Sequence, residues 1–74
     1  MSVKLDTKGF TCPIPILKVK KAMMKVAADD TLVVETTDPG SVNDFEIYCR
    51  TQGHNLIETS EEGGVFTFEI QKAP

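Results

Sequence analysis

The chain has 74 residues, enough for one small domain with one modest core. Its 41% apolar and 26% charged residues are typical of a globular protein, and its net charge of −3 argues against nucleic acid as the main ligand, because nucleic-acid-binding proteins usually have a basic excess. No apolar run approaches the roughly 20 residues that span a bilayer, so no membrane partner is expected. The first ten residues lack the apolar segment of a signal peptide, and two cysteines are too few for a disulfide framework. We therefore expect a cytoplasmic protein with free thiols.

The first half of the chain alternates between extended and helical patterns. Residues 3–6 alternate apolar and polar side chains, which predicts a short strand, and Gly9 permits a sharp turn in the loop that follows. The spacing is helical over residues 13–28, where one face is apolar and another is basic. The β-branched residues 31–37 predict a second strand. The apolar helix face contains Ile16, Val19, Met23, Val26 and Ala27, and the basic face contains Lys18, Lys21 and Lys25.

A second helix and two further strands follow. Asp38 as the N-cap and Pro39 as the first helical residue mark the start of this helix, and Gly53 marks its end. Its apolar stripe consists of Val42, Phe45 and Cys49. The remaining predicted elements are a third strand at residues 55–59, a hairpin turn at residues 61–64 (Glu-Glu-Gly-Gly) and a fourth strand at residues 65–71.

The predicted element order is β-α-β-α-β-β within a single domain of residues 1–74. Each helix has one apolar stripe and the strands alternate, so two helices packed on one face of a four-stranded sheet would bury these faces together. The first two strands are expected to be parallel because a helix connects them, and the last two to form an antiparallel hairpin. The predicted fold is therefore an α/β protein of the α+β two-layer sandwich type with a mixed sheet.

The sequence Cys-Pro-Ile-Pro stands at the predicted start of the first helix. If Cys12 is the N-cap, Pro13 and Pro15 occupy positions where a proline loses no helical hydrogen bond and stiffens the chain. The positive end of the helix should favour the thiolate, which is the nucleophilic form of cysteine. Cysteine is a poorer N-cap than serine or aspartate, so its presence favours a reactive thiol over an inert buried one.

Three stretches of the chain resemble the signature of the TusA/SirA-like family of sulfur carrier proteins. They are Leu5-Asp6 with Gly9 and the Cys12-Pro13-Ile14-Pro15 motif, Val19-Lys20-Lys21 on the first helix, and Asp38-Pro39 with Asp44. The resemblance covers essentially the whole chain. It implies a two-layer α/β sandwich in which Cys12 bears a persulfide, with Gly9, Pro13 and Pro15 as the supporting motif.

The resemblance also implies a sulfur relay between proteins. Cys12 would take sulfane sulfur from a protein donor, either a cysteine desulfurase or a rhodanese-like protein, and pass it to a DsrE-like protein or a thiolation enzyme. The chain would be a sulfurtransferase in the broad sense, a carrier that needs no cofactor because its donor cleaves the C–S or S–S bond. Ile14 and Thr11 stand where members active in tRNA thiolation tend to have charged residues. Residues 37–41 and 61–64 are similar to members from sulfur-oxidising microbes, so sulfur oxidation or trafficking is slightly favoured over tRNA thiolation.

The basic face of the first helix has two interpretations of equal weight, a solvated surface or a docking site for an acidic partner. On the second interpretation Lys18 and Lys21 bind the partner, because the helix that bears them starts at Cys12.

The remaining candidates have mainly structural interpretations. Cys49 is predicted to be a buried core thiol, with a resolving cysteine or secondary sulfur site as the alternative. His54 is predicted to be a solvated residue at a strand start rather than a catalytic base. These residues and Cys12 lack a recognised zinc-ligand spacing, so no metal site is expected. Two other functions remain open: a thiol-disulfide redox protein, although no Cys-x-x-Cys is present, and a non-catalytic binding or regulatory module.

Overall fold

The structure is a computed structural model that describes residues 2–73, and these residues form four strands and two helices. In chain order they are β1 (Ser2–Thr7), α1 (Ile14–Met23), β2 (Thr31–Thr36), α2 (Gly40–Gln52), β3 (Asn55–Glu62) and β4 (Val65–Gln71). The sheet order is β1-β2-β4-β3, in which β1 and β2 are parallel and the other two pairs are antiparallel. The predicted α+β fold with a mixed sheet is confirmed. Neither of these helices is long and apolar enough to cross a membrane.

The core lies between the helices and one face of the sheet. Strand β2 alternates strictly, with Leu32, Val34 and Thr36 buried and the residues between them partly exposed. At the centre, the rings of Phe45 on α2 and Phe68 on β4 meet edge to face, 4.8 Å apart and at 87°. The other buried apolar residues around them are Val19, Met23, Val26, Cys49 and Ile70. Most of the predicted apolar stripes therefore do face the core.

Helix α1 ends at Met23, five residues before its predicted end. The ammonium group of Lys72 donates hydrogen bonds to the carbonyls of Met23 and Val26, at 2.8 and 2.7 Å. A cation in this place complements the negative end of the helix dipole and holds the carbonyls of the turn that follows the helix. The chain turns sharply after this point, with Asp29 at a φ of 69°. Ala27, predicted on the apolar helix face, is exposed as a result.

The β3–β4 hairpin turn is shorter than predicted. Gly63 and Gly64 alone form the loop, with φ values of 57° and 82°, whereas Glu61 and Glu62 belong to β3. Positive φ at both central residues is what a two-residue hairpin loop of the I′ type requires, and glycine adopts it without strain. Strand β3 consequently extends three residues beyond its predicted end.

Truncation of Phe45 should strongly destabilise this fold. We expect Phe45→Ala to lower the free energy of unfolding by about 3–5 kcal/mol, the usual cost of removing a buried aromatic ring. Urea denaturation measures the loss, with Phe45→Leu as a milder replacement if the alanine variant does not fold. Met24→Ala is the control, because this side chain is 82% exposed, and it should shift stability by less than about 0.5 kcal/mol. Similar losses of unfolding free energy in both variants would contradict the conclusion that the Phe45 ring is a main contributor to the core.

Candidate functional site

Cys12 lies in the loop before α1, one residue earlier than a capping position. The N-cap is Pro13, the helix begins at Ile14, and Pro15 is its second residue. The prediction that Cys12 is the N-cap, with Pro13 and Pro15 as N1 and N3, is therefore wrong by one position. The peptide bond between Cys12 and Pro13 is cis. Cys12 and Pro13 are exposed, whereas Pro15 is buried, so the second proline packs inside the domain.

Two contacts hold the loop between β1 and α1 in place. Gly9 adopts a φ of 86°, and its N–H donates a 2.9 Å hydrogen bond to the hydroxyl of Thr37. Only a residue without a Cβ takes this conformation readily, which explains the glycine in the motif. The ammonium of Lys8 pairs with the carboxylates of Asp6 and Glu35, at 3.0 and 3.2 Å. These contacts tie the loop to the end of β2 and to the segment that follows it.

The Asp38 carboxylate joins this loop to the start of α2. Its Oδ2 accepts hydrogen bonds from the Cys12 N–H at 2.8 Å and from the Ser41 hydroxyl at 3.1 Å, and its Oδ1 accepts one from the Gly40 N–H at 3.3 Å. The N-cap of α2 is Pro39, so the prediction that Asp38 is the N-cap and Pro39 the first helical residue is wrong by one position, although the Asp38 carboxylate still accepts the N–H of the first helical residue. The helix itself begins at Gly40, one residue later than predicted. The backbone of Cys12 is thereby fixed against the first turn of α2.

The thiol of Cys12 faces a second carboxylate on α2. Its S–H donates to Oδ2 of Asp44 at 2.9 Å. The pKa of Cys12 is raised above its ordinary value, first by this hydrogen bond, then by burial and by the negative charges of Asp44 and Asp38. The prediction of a site that favours the thiolate is thus wrong in direction, because a carboxylate in contact with the sulfur favours the neutral thiol. Asp44 was singled out only by its place in the family's second motif, and no pattern in the chain linked it to Cys12.

A groove of about 420 Å³ lies between α1 and α2, and Cys12 and Asp44 both line it. Ile16 and Lys20 form part of its α1 wall, and Ile47 and Tyr48 part of its α2 wall. Among residues 2–73, Lys20 is the one basic residue that lines the groove. Lys18 and Lys21, the predicted partner-binding residues, line a separate depression together with Leu5, Ala22 and Lys25. The structure therefore brings Lys20, rather than the two predicted lysines, into the same surface as the thiol.

Cys49 and His54 both contact the interior of the fold and do not line the groove. Cys49 is 3% exposed in the core, as predicted, and burial raises its pKa to about 11. His54 is half-buried rather than solvated, since its Nδ1 accepts a 2.9 Å hydrogen bond from the Ala73 N–H and its ring lies 5.3 Å from that of Tyr48. Burial and the charge of Lys72 lower the pKa of His54. Both cysteines are free thiols.

Comparisons with known proteins identify the family of the chain. The family profile described as sulfurtransferase TusA matches residues 3–72. A putative sulfur carrier protein of Neisseria meningitidis is 47% identical over 70 residues, covering 95% of each chain. The sulfur carrier protein TusA of Allochromatium vinosum is 44% identical over 70 residues, covering 95% of this chain and 92% of that one.

A solved structure supports the same fold. The crystal structure of a SirA-like protein from Desulfitobacterium hafniense superposes with a TM-score of 0.84 over 100% of both chains, at 22% identity. The class defined by these matches is the small α+β sulfur carrier domain. The chain belongs to the TusA family.

The two thiols should differ in reactivity. At about pH 8 we expect iodoacetamide to modify Cys12 at least about tenfold faster than Cys49, because the thiolate is the reacting form and the buried thiol, with a pKa of about 11, is rarely ionised or reached. Peptide mass spectrometry of the native protein measures both rates. In urea, which exposes both side chains, the difference should largely vanish. Equal native rates, or faster reaction of Cys49, would contradict the observed burial.

Proposed function

We propose that the protein accepts sulfane sulfur as a persulfide on Cys12 and passes it to a partner protein. Membership of a family of sulfur carriers supports a carrier role. The observation that supports Cys12 as its site is the exposed thiol, which lines the groove between α1 and α2. Cys49 lies in the core and cannot meet a partner's sulfur without local opening of the fold.

The transfer requires no oxidant and no cofactor. The Cys12 sulfur attacks the outer sulfur of a donor persulfide, so that one S–S bond forms as the donor's own S–S bond breaks. The donor leaves as a thiolate and takes up the proton that Cys12 loses. One thiol and one persulfide become one persulfide and one thiol, and the reverse sequence delivers the sulfur to an acceptor.

The proposed setting is a cytoplasmic sulfur relay. The donor is a cysteine desulfurase or a rhodanese-like protein, and the acceptor is a DsrE-like protein or a thiolation enzyme. Thr11 and Ile14 flank the Cys12–Pro13 pair and are both exposed, so a partner that reaches the thiol meets a neutral and partly apolar surface there. This neutral surface favours sulfur oxidation or trafficking over tRNA thiolation, whose carriers tend to have charged residues at these positions.

Loading should depend on Cys12 alone. After incubation with inorganic polysulfide, we expect the intact mass of the wild-type protein and of Cys49→Ser to rise by whole sulfur atoms that dithiothreitol removes. Cys12→Ser should show no such increase, because the serine hydroxyl does not attack sulfur under these conditions and the remaining thiol, Cys49, is buried. Loading of Cys12→Ser to the wild-type extent would overturn the assignment. A dithiothreitol-sensitive Cys12–Cys49 disulfide in place of a mass increase would instead favour the redox alternative.

Lys20 is the residue we expect to steer an acidic partner to the groove. Lys20→Glu should slow sulfur transfer from a rhodanese-like protein donor by about tenfold at low salt, since charges at the rim of an interface act mainly on the association rate. The difference should shrink as salt rises, because the screening length is about 10 Å at 0.1 M. Loading by polysulfide, which needs no docking, should change much less.

Lys25→Glu is the matched control for this test. It makes the same charge change at another exposed lysine, but Lys25 lies in the separate depression and not in the groove. The double variant Lys18→Glu/Lys21→Glu tests the prediction made from the sequence. A larger effect of that double variant than of Lys20→Glu would place the partner on the other side of α1.

A further inference from the structure

The environment of Cys12 contains a carboxylate whose contacts are incomplete. Oδ2 of Asp44 accepts the thiol proton at 2.9 Å, whereas Oδ1 has no hydrogen-bond partner among residues 2–73. No basic side chain in that part of the chain forms an ion pair with Asp44 either, because the ion pairs there join Lys8 to Asp6 and Glu35. Asp44 is only half-buried and lines the groove, so an incoming group can reach it.

The groups around the thiol come from three parts of the structure and are mainly acidic. Asp44 and the phenol of Tyr48 belong to α2, Asp38 precedes that helix, and Lys20 belongs to α1. The two carboxylates are in hydrogen-bond contact with Cys12, one through the sulfur and one through the backbone N–H. Lys20 makes no ion pair with either of them. The thiol therefore has two carboxylates in contact with its residue, in a groove whose other lining residues are uncharged except for Lys20.

This arrangement does not suit an unselective thiol, one that would react with every electrophile it meets. A carboxylate that accepts the S–H bond stabilises the neutral thiol and repels the thiolate, which is the form that attacks sulfur. It also repels anionic sulfur compounds that approach the groove. A positive group placed against Asp44 would cancel both effects at once, because it would offset the charge that opposes ionisation.

We propose that Asp44 is a specificity-determining residue, which holds Cys12 as a neutral thiol in the free carrier and releases it when a partner places a lysine or arginine side chain against the Asp44 carboxylate. This inference rests on the proposed function of Cys12. The partner's cation lies beside its own persulfide cysteine, so that activation and sulfur attack occur in one encounter. The proton lost by Cys12 passes to the donor's departing thiolate, and Asp44 ends as the carboxylate it was at the start.

The test uses two thiol reagents of opposite charge on the free protein. The cationic 2-(trimethylammonium)ethyl and the anionic 2-sulfonatoethyl methanethiosulfonates each transfer a thioalkyl group to a thiolate and release methanesulfinate. The ratio of their rates at Cys12, divided by the same ratio for 2-mercaptoethanol, reports the local preference for a cation. Peptide mass spectrometry confirms that Cys12 is the modified residue.

Asp44→Asn should lower this normalised ratio about fivefold or more, the size expected when one unit charge close to the reacting sulfur is removed in water. It should also shift the pH midpoint of iodoacetamide alkylation downward, because the side chain that opposes ionisation of Cys12 has become neutral. Asp44→Ser serves as a second neutral variant if the asparagine variant does not fold. Asp44→Glu, which keeps a carboxylate on the same helix, should retain most of the preference for the cation.

Glu46→Gln is the matched control. It removes one negative charge from an exposed position on the same helix, and Glu46 does not line the groove. The inference is overturned if Asp44→Asn leaves the ratio and the pH midpoint unchanged, or if Glu46→Gln alters them equally. These outcomes are separate from failure of the proposed function, which would appear as absence of sulfur transfer to Cys12 of the wild-type protein from a rhodanese-like protein donor.

Discussion

The Asp38 carboxylate is the contact on which the geometry of the site depends. One of its oxygens accepts the N–H of Cys12 and the hydroxyl of Ser41, and the other accepts the N–H of Gly40. A single half-buried side chain thus connects the loop before α1 to the first turn of α2. Hydrogen bonds to charged groups contribute about 1.5–3 kcal/mol each, more than neutral ones, which suits a contact that must hold a surface loop. The core around Phe45 and Phe68 does not include Asp38, so the fold and the placement of Cys12 rest on separate interactions.

Two electrostatic effects compete at Cys12, and their relative sizes decide whether its thiol is neutral or ionised. The end of a helix has an effective charge of about half a unit, and Cys12 lies one residue outside the N-cap of α1. Asp44 places a full negative charge in hydrogen-bond contact with the sulfur, at 2.9 Å. The full charge at contact distance outweighs the half charge further away, so the pKa of Cys12 rises. A helix N-terminus therefore does not by itself activate a cysteine, because the side chains that surround the sulfur determine the outcome.

Structural features that depend on neighbouring residues in the chain could be predicted from the sequence, and features that depend on distant residues could not. The alternation in β2 and β4 and the glycine end of α2 are local and agree with the structure, and the prolines mark the start of α1 to within one residue. The end of α1 was missed because it is set by Lys72, which is 49 residues from Met23 in the chain. The protonation of Cys12 was missed because Asp44 is 32 residues away. Helical spacing also shows which lysines share a face, but packing against α2 decides that Lys20 lines the groove.

Under the proposed function, the charged residues around Cys12 interact differently with the free thiol and with the persulfide. In the empty carrier the S–H of Cys12 satisfies Oδ2 of Asp44, so the carboxylate and the sulfur attract each other. A persulfide has no proton on that inner sulfur, and its outer sulfur lies one S–S bond, about 2.05 Å, further along. The attraction is then lost, and a negative outer sulfur is repelled by Asp44 and Asp38. Lys20 is a positive group that lines the same groove, so a negative outer sulfur is attracted toward it. The carboxylate that favours the neutral thiol in the empty carrier thus also repels the transferred sulfur in the loaded one.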